Sequence, residues 1–389
     1  MLRDRDMLCF SHDWSGDPLS KTHLMRLLAR HNRVLWVNSI GYRAPTASRR
    51  DLVRAVKKAA AAIAPLRQPE PNLFVLSPLV VPIHGRPWAR AFNRWFLRLQ
   101  VQSAMRRLGF ARPINWVFNP TAAVVAGSLD EDLLIYYCVD EYAAFNGVPS
   151  LSLASMERDL LAKADLVIAS SERLRRSKSE AHPGTILVRH GVDWRHFRRA
   201  LDADTIVPAD LAALPRPVLG YFGLIGSDWI DLHLLAHVAR SMPEVSIAMI
   251  GTTTMDISAL RRFPNVHLLG HRPYAELPAY CRGFDAAMIP FPISEATLCA
   301  NPLKAREYLA AGLPVVSTAI PEVEALGGCR IGSDPDSFVA QVRAALQEPG
   351  PNAGRSDAFR HESWEARLDL IAGHITAASS RRSTLRAAA

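Results

Sequence analysis

The residues best arranged to do chemistry lie in one run, Asn301-Pro302-Leu303-Lys304-Ala305-Arg306-Glu307-Tyr308-Leu309-Ala310-Ala311-Gly312-Leu313-Pro314-Val315-Val316-Ser317. Asn301 is a good N-cap, Pro302 suits the first helical position, and Gly312 with Pro314 stops the helix ahead of an apolar strand. A short helix carrying Leu303 in its first turn presents free amides and a partial positive charge, which suits an anion such as a diphosphate. Lys304 adds a full charge in that turn, and Glu307 follows three residues later on the same face, where a carboxylate accepts two sugar hydroxyl hydrogen bonds. The same spacing also gives an ordinary surface Lys–Glu pair.

Three further groups belong to this chemistry. Gly223-Leu224-Ile225-Gly226-Ser227 follows a strand pattern, and its glycines allow a backbone to pass close to phosphates, although G-x-x-G alone equally describes a plain βα turn. Arg272, with His271 after the run Val266 to Gly270, is a candidate contact for a base or phosphate and equally reads as a surface arginine. For proton transfer the first half offers His12-Asp13 and Asp140-Glu141, all just past the ends of predicted strands. Gly16, in the loop His12 to Asp17, would lie under the diphosphate while Asp13 faces the acceptor of the transferred group. Asp140 and Asp13 are favoured as base over His12, which also reads as a packed strand-end histidine.

The elements that must position these groups follow from hydrophobic pattern. Apolar runs of four to eight residues alternate with helix-period segments along the whole chain, which predicts parallel sheets crossed by helices. The strands expected in the first half are 7–11, 34–38, 73–77, 115–118, 133–139, 166–170 and 186–189; those in the second are 218–222, 245–250, 266–268, 286–289, 315–317 and 329–331. Open α/β sheets bind ligands at the carboxyl ends of such strands. Two doubly wound units result. The stretch Asp202 to Pro217 carries Pro208, Pro215 and Pro217 and reads as a linker, giving domains at 1–205 and 218–363 joined by 206–217, a closing helix at 364–378 and a disordered tail at 379–389.

Composition narrows the partners. The 389 residues are 49% hydrophobic and 21% charged, as in globular proteins of two domains. No run reaches the ~18 apolar residues of a membrane span, and Met1 to Asp6 lacks a signal-peptide core, so a cytoplasmic location is expected. Five cysteines without a CxxC pair indicate neither a zinc site nor a disulfide framework. Residues 1–200 hold 30 Lys and Arg against 17 Asp and Glu, whereas residues 201–389 hold 16 against 20. Within the basic half, Arg86, Arg90, Arg94 and Arg98 recur every four residues beside Trp88, Phe92, Trp95 and Phe96. That helix suits an anionic bilayer surface, or else buries its aromatics and solvates its arginines. Charge alone also admits nucleic acid, but no nucleic-acid motif accompanies it.

The segment PLKAREYLAAGLPVVST resembles the nucleotide-sugar-binding segment of GT-B glycosyltransferases, the bacterial family 4-like (group 1) enzymes of surface polysaccharide synthesis. HGVDWRHF, VLGYFGLIG, LPAYCRGFDAAMIPF and SWEARLDLI are similar to further family segments in the family's order, and CFSHDWSGDPLSKTHLMRLLARHNRVLWVNS with YYCVDEYAAFNG resembles its teichuronic-acid branch. The resemblance implies two Rossmann-like domains facing across a cleft, the C-terminal one holding a nucleoside diphosphate sugar and the N-terminal one its acceptor. It also implies that Lys304 meets the diphosphate and Glu307 the ribose hydroxyls. Many retaining members carry a second glutamate eight positions earlier, where this chain has Cys299; Glu295 stands four residues before that. The expectation is a sugar transferase using a UDP-sugar and a lipid-linked or polysaccharide acceptor, with no metal and no other cofactor, peripheral at the inner membrane face. An epimerase of the same architecture and a non-catalytic scaffold are the rival readings.

Overall fold

The computed structural model describes residues 2–14, 17–41, 66–81 and 86–388, with side chains described to 384; Gly16 and most of the basic stretch 49–67 lie outside the described residues. The chain divides into two units, Met1–Arg189 with Leu368–Ala389, and His190–Arg367.

In the first unit the apolar runs become β1 (Asp6–Phe10), β2 (Arg33–Val37), β3 (Leu66–Glu70), β4 (Leu73–Leu76), β5 (Ile114–Val117), β6 (Leu133–Cys138), β7 (Leu166–Ala169) and β8 (Ile186–Leu187). They form one sheet in the order β3-β4-β2-β1-β5-β6-β7-β8. Its central strands β5, β6 and β7 are buried at every position, because helices cover both faces of a parallel sheet and leave no solvent side. β3 was not anticipated from pattern. It pairs antiparallel to β4 at the edge, its three middle residues are exposed, and it tolerates Pro69 there because an edge strand can spare an N–H.

In the second unit β9 (Val218–Phe222), β10 (Ser246–Ile250), β11 (Val266–Gly270), β12 (Ala286–Ile289), β13 (Val315–Thr318) and β14 (Cys329–Gly332) give a parallel sheet in the order β11-β10-β9-β12-β13-β14. Its core runs from Leu219, Tyr221, Met249 and Ile289 through Tyr308, Leu309 and Phe338. In each sheet the strand order reverses beside the unit's first strand, β1 against β5 and β9 against β12, and a crevice opens at the carboxyl ends of such strands.

Two expectations about organisation change. Residues 206–217 are no linker but part of the second unit. Leu211 is buried against Gly283, Asp210 pairs with Arg272 at 2.6 Å, and Arg216 pairs with Asp285 at 2.5 Å. Prolines here shape a folded segment rather than a free one. The expected disordered tail is instead the end of a helix spanning Trp364–Ala388. Ile371, Ile375 and Ala378 continue its buried stripe, and Arg382 forms an ion pair with Asp165, so the helix propagates through residues that would not nucleate one.

Candidate donor and acid–base sites

The helix Leu303–Ala310 starts one residue later than the spacing suggests, with Pro302 at the capping position. Asn301 does not cap it. Its side-chain oxygen accepts from Arg306 Nη1 at 2.6 Å and its carbonyl contacts His190 Nδ1 at 2.9 Å. Arg306 is almost fully buried and also donates to Glu362 at 2.8 Å, so a buried guanidinium claims the asparagine and fixes the segment that enters the helix.

Lys304 and Glu307 come together with the glycine loop. Lys304 Nζ lies 5.6 Å from the Tyr221 ring centroid and 5.8 Å from that of Phe291. At Gly223, φ +133°, a Cβ would fall onto Lys304 Cε and Nζ, so any side chain there would push the lysine aside. Burial lowers the Lys304 pKa and the nearby Glu307 opposes that shift, and the residue is half-buried between the helix and the loop. Glu307 is itself 8% exposed. A half-buried cation at a helix N-terminus binds an incoming anion more strongly than a fully exposed lysine does.

The loop after β9 is held by Gly223 N donating to Ile250 O at 2.8 Å and Ile225 N donating to Thr252 O at 3.0 Å, leaving Ser227 exposed. Gly251 was missed in the sequence. A Cβ there would fall on the Gly223 carbonyl oxygen, so two glycines are needed where these loops touch. Arg272 pairs with Asp210 at 2.6 Å and donates to the Tyr280 hydroxyl at 2.5 Å, which fastens residues 210 and 280 together. Cys299 is buried, with Sγ 3.4 Å from Glu295 Oε1 one helical turn back. A carboxylate therefore does reach the Cys299 position, from a residue the spacing rejected.

In the first unit Asp140 lies at the carboxyl end of β6, half-buried, and burial raises its pKa while Lys21 pulls it down. Lys21 was not a sequence candidate. It is 8% exposed, its pKa is lowered by burial against the pull of Asp140, and Nζ reaches the Tyr142 hydroxyl at 3.4 Å. Glu141 is taken up by Lys178 at 2.6 Å, which also binds Glu157 at 2.9 Å, so its expected chemical role becomes that of an anchor for the turn carrying Asp140. His12 packs edge-on to Trp36 at 5.2 Å with its pKa lowered to about 3 by burial and then by Lys21. A ring so reluctant to protonate is a poor general base. Asp13 is exposed and accepts from Ser39 N at 3.1 Å.

The helix Pro87–Leu108 buries Ala89, Asn93, Leu97, Val101 and Ala104 and leaves Trp88, Phe92, Trp95 and Leu99 exposed at 61, 40, 58 and 42%. The aromatics are thus not core. Among the described residues no cluster of three or more His, Cys, Asp or Glu is placed to hold a metal ion, and no helix is long and apolar enough to cross a membrane.

Residues 216–348, which contain the glycine loop, Lys304 and Glu307, match the family Glycosyl transferases group 1. A Bacillus subtilis protein, TuaH, named as a teichuronic acid biosynthesis glycosyltransferase, is 26% identical over 273 residues, 64% of this chain and 68% of that protein. Among solved structures, sucrose-phosphate synthase from Thermosynechococcus elongatus is similar with a TM-score of 0.68, 14% identity, and 99% of this chain and 100% of that one covered. HepE from Anabaena, in complex with UDP and glucose, has a TM-score of 0.64 and 15% identity over 95% and 99% of the two chains. A trehalose-6-phosphate protein from E. coli bound with UDP-2-fluoro glucose has 0.66 and 12% over 96% and 99%.

Proposed function

We propose, from the premise that a Glycosyl transferases group 1 domain at residues 216–348 sits in a chain of GT-B fold, that this protein moves a sugar from a nucleoside diphosphate sugar to an acceptor hydroxyl. The observation that carries this reading is Lys304, a half-buried ammonium packed against Gly223 and Tyr221 at the start of a helix, with Glu307 one turn further on. Departure of the diphosphate is the step such a site favours, because negative charge grows on the leaving oxygen and meets charge already in place. Helix amides and Lys304 supply that charge without calling on a metal or other cofactor. Glu307 takes the ribose hydroxyls, and Ser227, Gly226 and the amides at Leu303 line the phosphates.

UDP is the favoured nucleotide, since two of the similar structures hold UDP or a UDP-sugar. A lipid-linked or polysaccharide acceptor fits the likeness to a protein named for teichuronic acid synthesis. The exposed stripe Trp88, Phe92, Trp95 and Leu99, flanked by arginines, supports a peripheral place on an anionic membrane. Asp140 is the proposed base for the acceptor proton, with Asp13 second.

Calorimetric titration with UDP, followed by a screen of UDP-sugars for hydrolysis, tests the reading. Lys304→Ala and Glu307→Ala should each weaken UDP binding by ~1.5 to 3 kcal/mol while leaving the protein folded. Unchanged affinity in both folded variants would remove the donor site from this helix.

A further inference from the structure

The second unit carries another cavity, of about 580 Å³, in which Arg195, Arg198, Arg199 and Arg360 converge around Trp194. Residues 190–367 as a whole hold 16 Lys and Arg against 20 Asp and Glu, yet here four cations gather beside two carboxylates, Asp202 and Asp357. Arg198 makes a long 3.4 Å contact with Asp357. Arg195 and Arg199 are exposed and make no ion pair among the described residues. Arg198 and Arg360 lie over the indole of Trp194 at 5.3 and 5.4 Å from its centroid, and the ring is fixed by Nε1 donating to Ser356 O at 3.0 Å.

Like charges held this close repel one another, and a concave wall strengthens the field they make. What relieves them is an anion with several oxygens, because each guanidinium offers a planar fork that grips two oxygens at once. The volume lies within the range of small-molecule sites. With two guanidiniums already on the indole, the cavity selects charge rather than an aromatic base. We propose that it is a second anion site, distinct from the Lys304 helix, that takes a diphosphate group. This inference does not depend on the sugar-transfer reading. The group reaches it either free in solution or carried on a lipid.

The test titrates inorganic diphosphate into Lys304→Ala protein, in which the first anion site is disabled, and into the same protein with Arg195→Gln and Arg199→Gln added. Both arginines are exposed, and Arg198 and Arg360, which pack on Trp194, are left intact, so folding is preserved. One diphosphate should bind per Lys304→Ala chain, and the arginine changes should weaken it about tenfold or more and flatten its salt dependence. A second arm measures cosedimentation with phosphatidylcholine vesicles carrying a prenyl diphosphate. Vesicle binding that falls with the arginine changes, while free diphosphate is ignored, keeps the site and assigns its anion to a lipid. Indifference of both ligands to the two changes overturns the proposal.

Discussion

Replacing Gly223 with alanine should disable donor binding through Lys304. The added Cβ would lie 2.5 Å from Lys304 Nζ, nearer still to Cε, and 3.3 Å from the Tyr221 hydroxyl. Carbon contacts settle at about 3.5–4.0 Å, so the lysine must retreat by roughly 1 Å or more. Two costs follow and can be separated. Alanine at φ +133° strains the backbone by ~1–3 kcal/mol, a loss of stability whether or not the lysine is present. The displaced ammonium also loses a charge-assisted bond to the nucleotide, ~1.5–3 kcal/mol, or roughly 10- to 150-fold in Kd for UDP. In Lys304→Ala protein the clashing atoms are already gone, so Gly223→Ala should then add under ~0.5 kcal/mol to the binding loss while costing stability in full. Calorimetry with UDP and urea denaturation on the four proteins of this cycle read the two effects. Binding losses that add, or a Gly223→Ala protein that binds UDP like its parent, would refute the placement of Lys304 over the loop as the basis of affinity.

Other outcomes can be measured directly. Asp140→Asn should lower turnover by about 10² to 10⁴ with UDP affinity unchanged. Because burial raises the Asp140 pKa, its carboxylate is lost at a higher pH than an ordinary aspartate's, and turnover should fall as pH drops through that raised value. Lys21→Met removes the charge that pulls the pKa down, so this acid limb should move to higher pH; a stationary limb would disconnect the two residues. His12, with its pKa lowered to about 3, is neutral when folded and protonates on unfolding below about 6.5. Its contribution to stability is present above about 6.5 and lost as pH falls toward 3, by at most ~1.4 kcal/mol per unit, and denaturation of His12→Gln across that window should show a shallower decline. Anionic vesicles should sediment the protein less after Trp88→Ser with Trp95→Ser, and less after Arg90, Arg94 and Arg98 become glutamine; indifference to both sets would leave the stripe without a bilayer role.

The helix Leu303–Ala310 and the glycine loop beside it were legible because their signals are local. Pro302, Lys304, Glu307, Gly312 and Pro314 lie within thirteen residues, and each acts through its immediate neighbours. The strands were legible for the same reason, since a fully buried strand is a short apolar run. What escaped depends on residues far apart. Lys21 gains meaning from Asp140, and Arg272 loses its apparent freedom to Asp210 and Tyr280. Asn301 looks like a cap until Arg306 and His190 engage it. Residues 206–217 had the prolines of a linker, and their packing rests on Gly283, whose missing side chain makes room for Val207 and Leu211. The exposed stripe on Pro87–Leu108 has the same hydrophobic content as a core face, and only the packing of Ala89, Asn93 and Leu97 on the opposite side distinguishes them.

The division of the chain sets an order on its making. His190–Arg367 is continuous in sequence and can fold as soon as it leaves the ribosome, whereas the first unit is closed by residues 368–389, including the Arg382 partner of Asp165. A nascent chain therefore carries an N-terminal sheet with all its strands but without its last helix through the synthesis of everything behind it. The half made first is the half completed last, and loss of the final helix would injure the opposite end of the sequence.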